Sequence, residues 1–564
     1  MTGAALYKTS LPALLLLLLT FVPPVVQSQE HSDFEVAKNL DIYVTLFKEL
    51  NLNYVDNIQP GELMKTGIDA MLGTLDPYTN YIPESDIEDY QFITTGQYGG
   101  IGALIHRQGD YVVISEPYKD SPAAKAGLKA GDRILKINGQ SAMGKSSDDV
   151  SNILKGQPGT TLDLVIERID ITEPFRLSII REQISVPNIP YYGMLKDGIG
   201  YIKLSGFTQD AGKEVRRAFL ELKANNTLNG IILDLRGNGG GLLQEAVHIT
   251  NIFVEKDELV VSTKGKLPDR NRSYSTTSPA DDTEIPLVVL VDNSSASASE
   301  IVAGAVQDLD RGIIIGQRTY GKGLVQNVVP LSYNAKMKVT VAKYYIPSGR
   351  CIQSIDYSHH DENGNFTKIP DSLISEFKTK NGRSVYDGGG IEPDIYVELP
   401  ELSQVTYTLY NKYHIFDYAT RFYWDNQTIP GPSEFTVTDD IYQGFLAYIN
   451  DKDYSYTTRS EMELADLKDM AVSEDYFDQV SDVFATLENK IMDSKADDTR
   501  EHEAEIKSVL KQEIVTRYYF EEGRIISSLS EDPEINKALD VLEDKGMYEN
   551  ILKGTYVGQK EKEE

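Results

Sequence analysis

The chain has 564 residues, 41% of them hydrophobic and 25% charged, with 43 glycines and 23 prolines, which is ordinary globular material too long for a single core. Its 55 Lys plus Arg against 86 Asp plus Glu leave a formal charge of −31, which repels phosphate backbones and excludes general nucleic-acid binding. One cysteine, Cys351, excludes an internal disulfide framework and any Cys-rich zinc module, and the pattern calls for no cofactor and no metal.

The first 28 residues differ from the rest. Lys8 precedes an apolar run from Leu11 to Leu19, and Pro23-Pro24 and a Val26-Gln-Ser28 site with small residues follow. This reads as an export signal cleaved after Ser28. An uncleaved anchor is the alternative, but a span needs about 20 apolar residues and the two prolines stop this run sooner. The mature chain is thus expected outside the cytoplasm, in the periplasm or cell envelope. Over residues 29–95 apolar residues recur at three and four: Val36, Leu40, Val44, Phe47 and Leu50, then Leu63, Ile68, Met71 and Leu75. That predicts an N-terminal helical region, with Leu75-Asp-Pro-Tyr78 ending one helix and Ile82-Pro-Glu-Ser85 capping another.

Residues 96–183 read as a small β-rich unit. Tyr98 to Gly102 opens a strand that continues into Ala103, Leu104 and Ile105, and Tyr111 to Ser115 and Leu162 to Glu167 are further strands. Between them, Ser121 to Gly139 closely resembles a PDZ domain, in which such a stretch is a short helix, a turn and a strand ending in an Asn-Gly hairpin. The resemblance implies a second helix over Asp148 to Lys155 beside a peptide groove. Gly99, Gly100, Ile101 and Gly102 suit a loop whose N–H groups receive a terminal carboxylate, since glycine lets the backbone curl and approach closely. Val150, Ile153 and Leu154, with Ile101, are the apolar groups expected to meet the last side chain of a bound tail, which would add a strand to the sheet.

From 184 to 400 the chain alternates α and β. Strands are expected over Ile199 to Leu204, Gly230 to Arg236, Pro286 to Val291 and Arg311 to Gly316, with helices over Ala211 to Lys223, Leu242 to Phe253 and Ile301 to Asp308. Two strands run into polar loops, Arg236 to Gly241 and Asp292 to Glu300, at the carboxyl ends where sites usually lie. The glycine run lacks both the Lys-Ser/Thr of a P-loop and a dinucleotide spacing, but it can offer backbone N–H groups to an oxyanion. On position alone the serine run reads as a helix cap. Downstream, Lys322 sits between Gly321 and Gly323 amid apolar residues, where poor solvation favours a neutral amine able to act as a base.

With these elements in hand the chain resembles the carboxyl-terminal processing peptidases, tail-specific serine proteases with a PDZ domain, over some 360 residues from the helical prefix to Gly389 to Asp394. The resemblance implies a crotonase-like α/β protease core with an inserted PDZ domain. It implies that Ser297 is the nucleophile, Lys322 the base 25 residues on, and Gln326 the group that orients the amine. Ala298 would give one oxyanion donor from a helix N-terminus. Gly240, within Gly239 to Gly241, would give the second by motif alignment. The four-residue step from Lys322 to Gln326 is expected to keep both on one face. Asp308 is expected to be structural, His248 a packed mid-helix histidine, and His359 and His360 loop residues.

Residues 401–564 carry 36 Asp plus Glu and 17 Lys plus Arg, so they hold most of the net charge. They read as an appended all-α domain: an aromatic part with Tyr407, Tyr410, Tyr413, Phe416, Phe422, Tyr423 and Trp424, then long charged helices from about Ser460, ending in a frayed Lys560 to Glu564. A homo-oligomer through this domain and an adaptor protein are the partners considered besides substrates with apolar C-termini. A catalytically idle scaffold that binds protein tails is the competing function, which loss of Ser297 or Lys322 would have signalled.

Overall fold

The computed structural model describes residues 25–361 and 364–556. Apart from its last four positions the expected export signal lies outside them, as does Lys560 to Glu564. Among the described residues no helix is long and apolar enough to cross a membrane. The chain divides into two units between Tyr81 and Ile82. The first holds helices α1 (Val25–Asn53) and α2 (Pro60–Gly73), as the periodicity predicts. Asp76 ends α2's stretch by taking the N–H groups of Tyr78 and Thr79, each at 2.8 Å.

The second unit opens with α3 (Ile87–Thr95), which ends at Gly96 with φ +69°. Next, strand Gln97–Gly100 pairs antiparallel with Glu182–Ser185, Gly100 opposite Glu182. Residues 101–181 between them build a separate sheet in the order 103–108, 111–117, 133–137, 161–168, 171–180, with α4 (Pro122–Lys125) and α5 (Ser147–Leu154). Its core is its own: Ile101, Val112, Ile114, Leu128, Ile134, Val150, Leu154, Leu162, Leu164 and Ile166 are all buried together. A capping box joining Ser146 and Asp149 starts α5.

The α/β part is a six-stranded sheet in the order Tyr191–Met194, Ile199–Lys203, Gly230–Asp234, Leu287–Val291, Ile313–Gly316, Ile395–Tyr396. All neighbours are parallel except the first pair. Its central strands are buried at every position, and apolar but for Asp234 at the end of one, because both faces are covered. One face takes α6 (Ala211–Asn225), α7 (Leu243–Phe253) and α8 (Ala298–Asp308), through Val215, Phe219, Ile249, Phe253, Ile301 and Val302 against Ile202, Ile231, Leu233, Val289 and Val291. An antiparallel sheet containing Leu259–Gly265, Leu324–Pro330 and Lys336–Tyr345 lies beside it.

The C-terminal helices are α9 (Gln404–Asn411), α10 (His414–Asp425), α11 (Asp439–Ile449), α12 (Arg459–Ser473), α13 (Phe477–Glu501), α14 (Glu503–Ser528), α15 (Pro533–Glu543) and α16 (Lys545–Leu552). Leu409, Tyr418, Tyr442, Phe445, Ile506, Leu510 and Ile514 form a helical core, while Tyr407 and Tyr410 of the expected aromatic stripe are exposed. The segment is not the appendage that its composition suggests. Ile535, Ala538, Leu539, Val541, Leu542 and Ile551 of α15 and α16 cover the second face of the six-stranded sheet, on Tyr201, Ile232, Val288, Leu290, Ile313 and Ile315. Earlier helices hold the 101–181 unit: Gln108 donates to both oxygens of Asp417 at 3.0 and 3.2 Å, and His106 stacks on Tyr413 at 4.3 Å.

Candidate active site

Three loops meet at the carboxyl edge of the sheet. The first, after Leu287–Val291, turns on Asp292, whose Oδ1 accepts the N–H groups of Ser294 and Ser295 at 3.0 and 2.9 Å. The serines then separate by burial. Ser295 and Ser299 are fully buried, donating to the carbonyls of Leu235 and Asn238 at 2.8 Å each. Ser297 is half-buried and is the N-cap residue of α8, with φ +56°, a conformation costly for a residue with a Cβ. Such strain persists only where the surroundings over-determine it, as they do here.

They do so through Glu300 and Tyr344. Glu300, fully buried in the first turn of α8, accepts the N–H of Ser297 at 2.8 Å, Gly321 at 2.7 Å and Lys322 at 2.9 Å, and the Thr319 hydroxyl at 2.6 Å. The Tyr344 hydroxyl donates to the carbonyl of Ser297 at 3.2 Å and to that of Lys322. One carboxylate and one phenol thus bracket the backbones of the predicted nucleophile and base. Burial pushes the Glu300 carboxyl up to about 7, against the pull of its four donors. The sequence reading missed both residues. Glu300 had a signal, since a glutamate three positions after a serine is a capping-box spacing; Tyr344 had none.

The glycine loop passes directly beneath Ser297. Gly240 has φ +95°, and a Cβ there would come within 2.8 Å of the Ala298 nitrogen and 2.9 Å of the Ser297 Cβ, so only glycine fits. Asn238 organises the loop: its side chain donates to Leu204 O at 2.8 Å, and its backbone carbonyl takes the Ala296 N–H at 3.1 Å. Its Oδ1 also accepts the Gly240 N–H at 2.9 Å, so the expected second oxyanion donor is already engaged. Ala298 stands at the first position of α8, where backbone N–H groups lack helical partners.

Gln326 lies in strand Leu324–Pro330, and its amide donates to Thr340 Oγ1 at 3.3 Å. The expectation that Lys322 and Gln326 share a face by spacing does not carry over. Lys322 precedes the strand, and the ladder shifts register between Val325 and Gln326, which breaks the alternation. His248 is not packed as expected but exposed on α7, 3.2 Å from Gln244 and 3.4 Å from Glu245. His359 and His360 lie in strand Ile355–His360, with His359 paired to Asp356 at 2.6 Å. Asp308 is structural as expected, buried in an ion pair with Arg350 at 2.8 Å.

The peptide-groove residues divide. Gly99 and Gly100 belong to the strand paired with Glu182–Ser185, not to an open loop. Gly102 follows with φ +73°. Ile101, Val150 and Leu154 are closed into the core at 2%, 0% and 5% exposure, and Ile153 alone of the apolar set stays partly exposed beside it. Strand Ala103–Gln108 is the sheet's edge, next to α5.

Comparison with known proteins agrees with this arrangement. The profile of peptidase family S41 matches residues 198–360, that of a PDZ domain residues 113–168, and one described as "Probable PDZ-protease, C-terminal helical domain" residues 405–542. A Staphylococcus aureus protein named "Probable CtpA-like serine protease" is 34% identical over 316 residues, 56% of this chain and 62% of the relative. The solved photosystem II D1 C-terminal processing protease matches at 27% identity over 63% of this chain and 92% of its own, with a TM-score of 0.34. The carboxy-terminal-processing protease of Bartonella bacilliformis is 35% identical over 321 residues, 56% of this chain and 73% of that relative. A likeness of that extent, joined to the profile matches, means that this chain belongs to the carboxyl-terminal processing peptidases of family S41.

Proposed function

We propose that the chain is an exported serine endopeptidase in which Ser297 is the nucleophile, Lys322 the general base and Gln326 the residue that orients the amine. The observation that carries the reading is the double bracket of Glu300 and Tyr344 on Ser297 and Lys322. In the reaction, the neutral Lys322 amine takes the proton of Ser297 Oγ as that oxygen attacks a peptide carbonyl. The developing oxyanion is held by Ala298 N–H and by Gly240, which trades its bond to Asn238 for the substrate oxygen. Lys322 returns the proton to the leaving amine, and water then hydrolyses the acyl-enzyme.

The α/β core is read as crotonase-like, with the PDZ domain inserted in it and the boundaries 29–95, 96–183, 184–400 and 401–564 kept from the sequence. The PDZ domain is read as taking the C-terminus of a protein substrate along the edge strand Ala103–Gln108, with Ile153 beside the last, apolar side chain. A homo-oligomer and an adaptor stay part of this reading.

The test is digestion of an unstructured protein by the purified chain, with fragments identified by mass spectrometry. Ser297→Ala, Lys322→Ala and Lys322→Arg should each abolish cleavage, since arginine keeps its proton at any workable pH. His248→Ala should cleave normally. Cleavage by Ser297→Ala, or its loss in a folded His248→Ala, would sink the assignment.

A further inference from the structure

The glycine loop begins at Arg236, and what holds Arg236 comes from two distant parts of the chain. On one side Asp234, the last residue of its strand, binds the guanidinium twice, Nε to Oδ1 at 3.0 Å and Nη2 to Oδ2 at 2.7 Å. On the other, Nη1 reaches both oxygens of Asp532 at 2.8 and 3.1 Å and also Glu534. Lys203 completes the cluster, donating to the Arg236 carbonyl at 2.7 Å and lying 3.2 Å from Asp234. Tyr201 donates to Asp234 at 2.7 Å.

Asp532 and Glu534 stand at the start of α15. Asp532 is its N-cap, accepting the N–H groups of Glu534 and Ile535 at 3.0 Å each. Glu534 is fully buried, and its Oε1 has no hydrogen-bond partner among the described residues. That oxygen lies 3.0 Å from where a Cβ would stand on Gly316, the residue that ends the strand leading to Lys322. One side chain therefore abuts the strand ends that launch both the glycine loop and the lysine loop. A buried carboxylate with one oxygen unmatched is expensive to keep unless its placement does something.

We propose that Asp532 and Glu534 are positioning residues of the peptidase site: brought by the C-terminal helices, they fix Arg236 and thereby set the glycine loop against Ser297. The inference rests on the reading of Ser297 as the nucleophile and of the glycine loop as its oxyanion partner. It makes the C-terminal helices a working part of the site, and α14, which packs against α10 and so lies beside the 101–181 unit, leads directly into the clamp. Burial raises the Glu534 carboxyl and Arg236 opposes it, so the clamp's charge depends on the guanidinium being seated.

The test uses the full chain carrying Glu534→Gln, Asp532→Asn, Arg236→Lys, or Glu534→Gln with Arg236→Lys, each assayed for kcat and KM on one flexible peptide, with Ser297→Ala alongside. Glu534→Gln and Asp532→Asn should lower kcat at least tenfold with KM within twofold, at unchanged far-UV circular dichroism. The double variant should be no slower than Arg236→Lys alone, because both act through one guanidinium. A kcat within twofold of the unaltered chain for both acid-to-amide variants, or losses that multiply in the double variant, would overturn the proposal. Should Glu534→Gln fail to fold, Asp532→Asn, at the partly exposed rim of the cluster, decides alone. Hydrolysis surviving in Ser297→Ala would instead mean that the underlying site reading has failed.

Discussion

The two faces of the six-stranded sheet are covered by segments of different origin. α6, α7 and α8 each lie in the chain between strands of the sheet they cover, whereas α15 and α16 arrive from the far end of the chain. Both faces nevertheless do the same thing at the carboxyl edge. Each delivers a buried glutamate from the first turn of a helix, Glu300 to the backbone of Ser297 and Lys322, and Glu534 to the guanidinium of Arg236. The difference teaches that a sheet can be half closed by local connections and still depend, for its second face and for part of its site, on a segment that composition marks as separate.

The harshest way to break the comparison is to remove one face. A chain ending at Leu399 exposes Ile232, Val288, Leu290, Ile313 and Ile315 at once, and it should not yield a soluble folded protein. A monomeric, cooperatively melting chain of that length that still cleaves peptide would show the second cover to be dispensable. Single truncations sharpen the comparison. Leu539→Ala should cost about 2–5 kcal/mol and Phe219→Ala about 3–5 kcal/mol in denaturant unfolding, placing the two faces on an equal footing. A cost below about 1 kcal/mol for Leu539→Ala would mark the second face as loosely held.

The two glutamates differ in their partners, which gives a pH test. Glu300 has only uncharged donors, and its carboxyl, near 4.5 in an unfolded chain, stands at about 7 when folded. It therefore takes up a proton on folding. Its contribution to stability is complete below pH 4.5 and is lost as pH rises to about 7, on the order of 3 kcal/mol in all. Peptidase activity should move the other way across that window, because the ionised carboxylate holds the bracket. Glu300→Gln should flatten that part of the stability profile and leave little turnover; an unchanged profile would refute the assignment.

The smallest effect concerns the contact of α10 with the edge strand of the 101–181 unit. Gln108→Ala removes the amide pair to Asp417 and should cost about 1–3 kcal/mol, without lowering the thermal stability of the α/β part. Limited proteolysis should release the 101–181 unit earlier in that variant, and an unaltered digestion pattern would count against the contact.

How much of this was legible in the sequence follows from how far each contact reaches. The first face could be read from the alternation of strands and helices, because the residues that pack are near neighbours in the chain. Ser297 and Lys322 were singled out through the resemblance to the carboxyl-terminal processing peptidases, and the PDZ unit through the likeness of Ser121 to Gly139 to that domain. The second face was not legible, because Ile535 and Leu539 read as one stripe of an acidic helix and nothing local says which sheet that stripe meets. Composition misled there: the charge of 401–564 describes its solvent side and hides the buried side. Val150 and Leu154, expected beside a bound tail, lie in the core of the unit. An apolar residue at helical spacing marks a buried face, but not whether a groove or a core lies against it.

The ribbon formed by Gln97–Gly100 and Glu182–Ser185 has a mechanical consequence. The chain goes out to the PDZ unit and comes back through two hydrogen-bonded strands, so the unit is hung as a door is hung, not moored on a slack rope. Twisting it freely would shear the ladder between Tyr98 and Ile184. Gly156 of the unit donates its N–H to the Gly99 carbonyl at 3.0 Å, an approach so close that a Cβ on Gly99 would come within 2.3 Å of the Gly156 carbonyl. The row of contacts from Gln108 and His106 to α10 fastens the unit a second time.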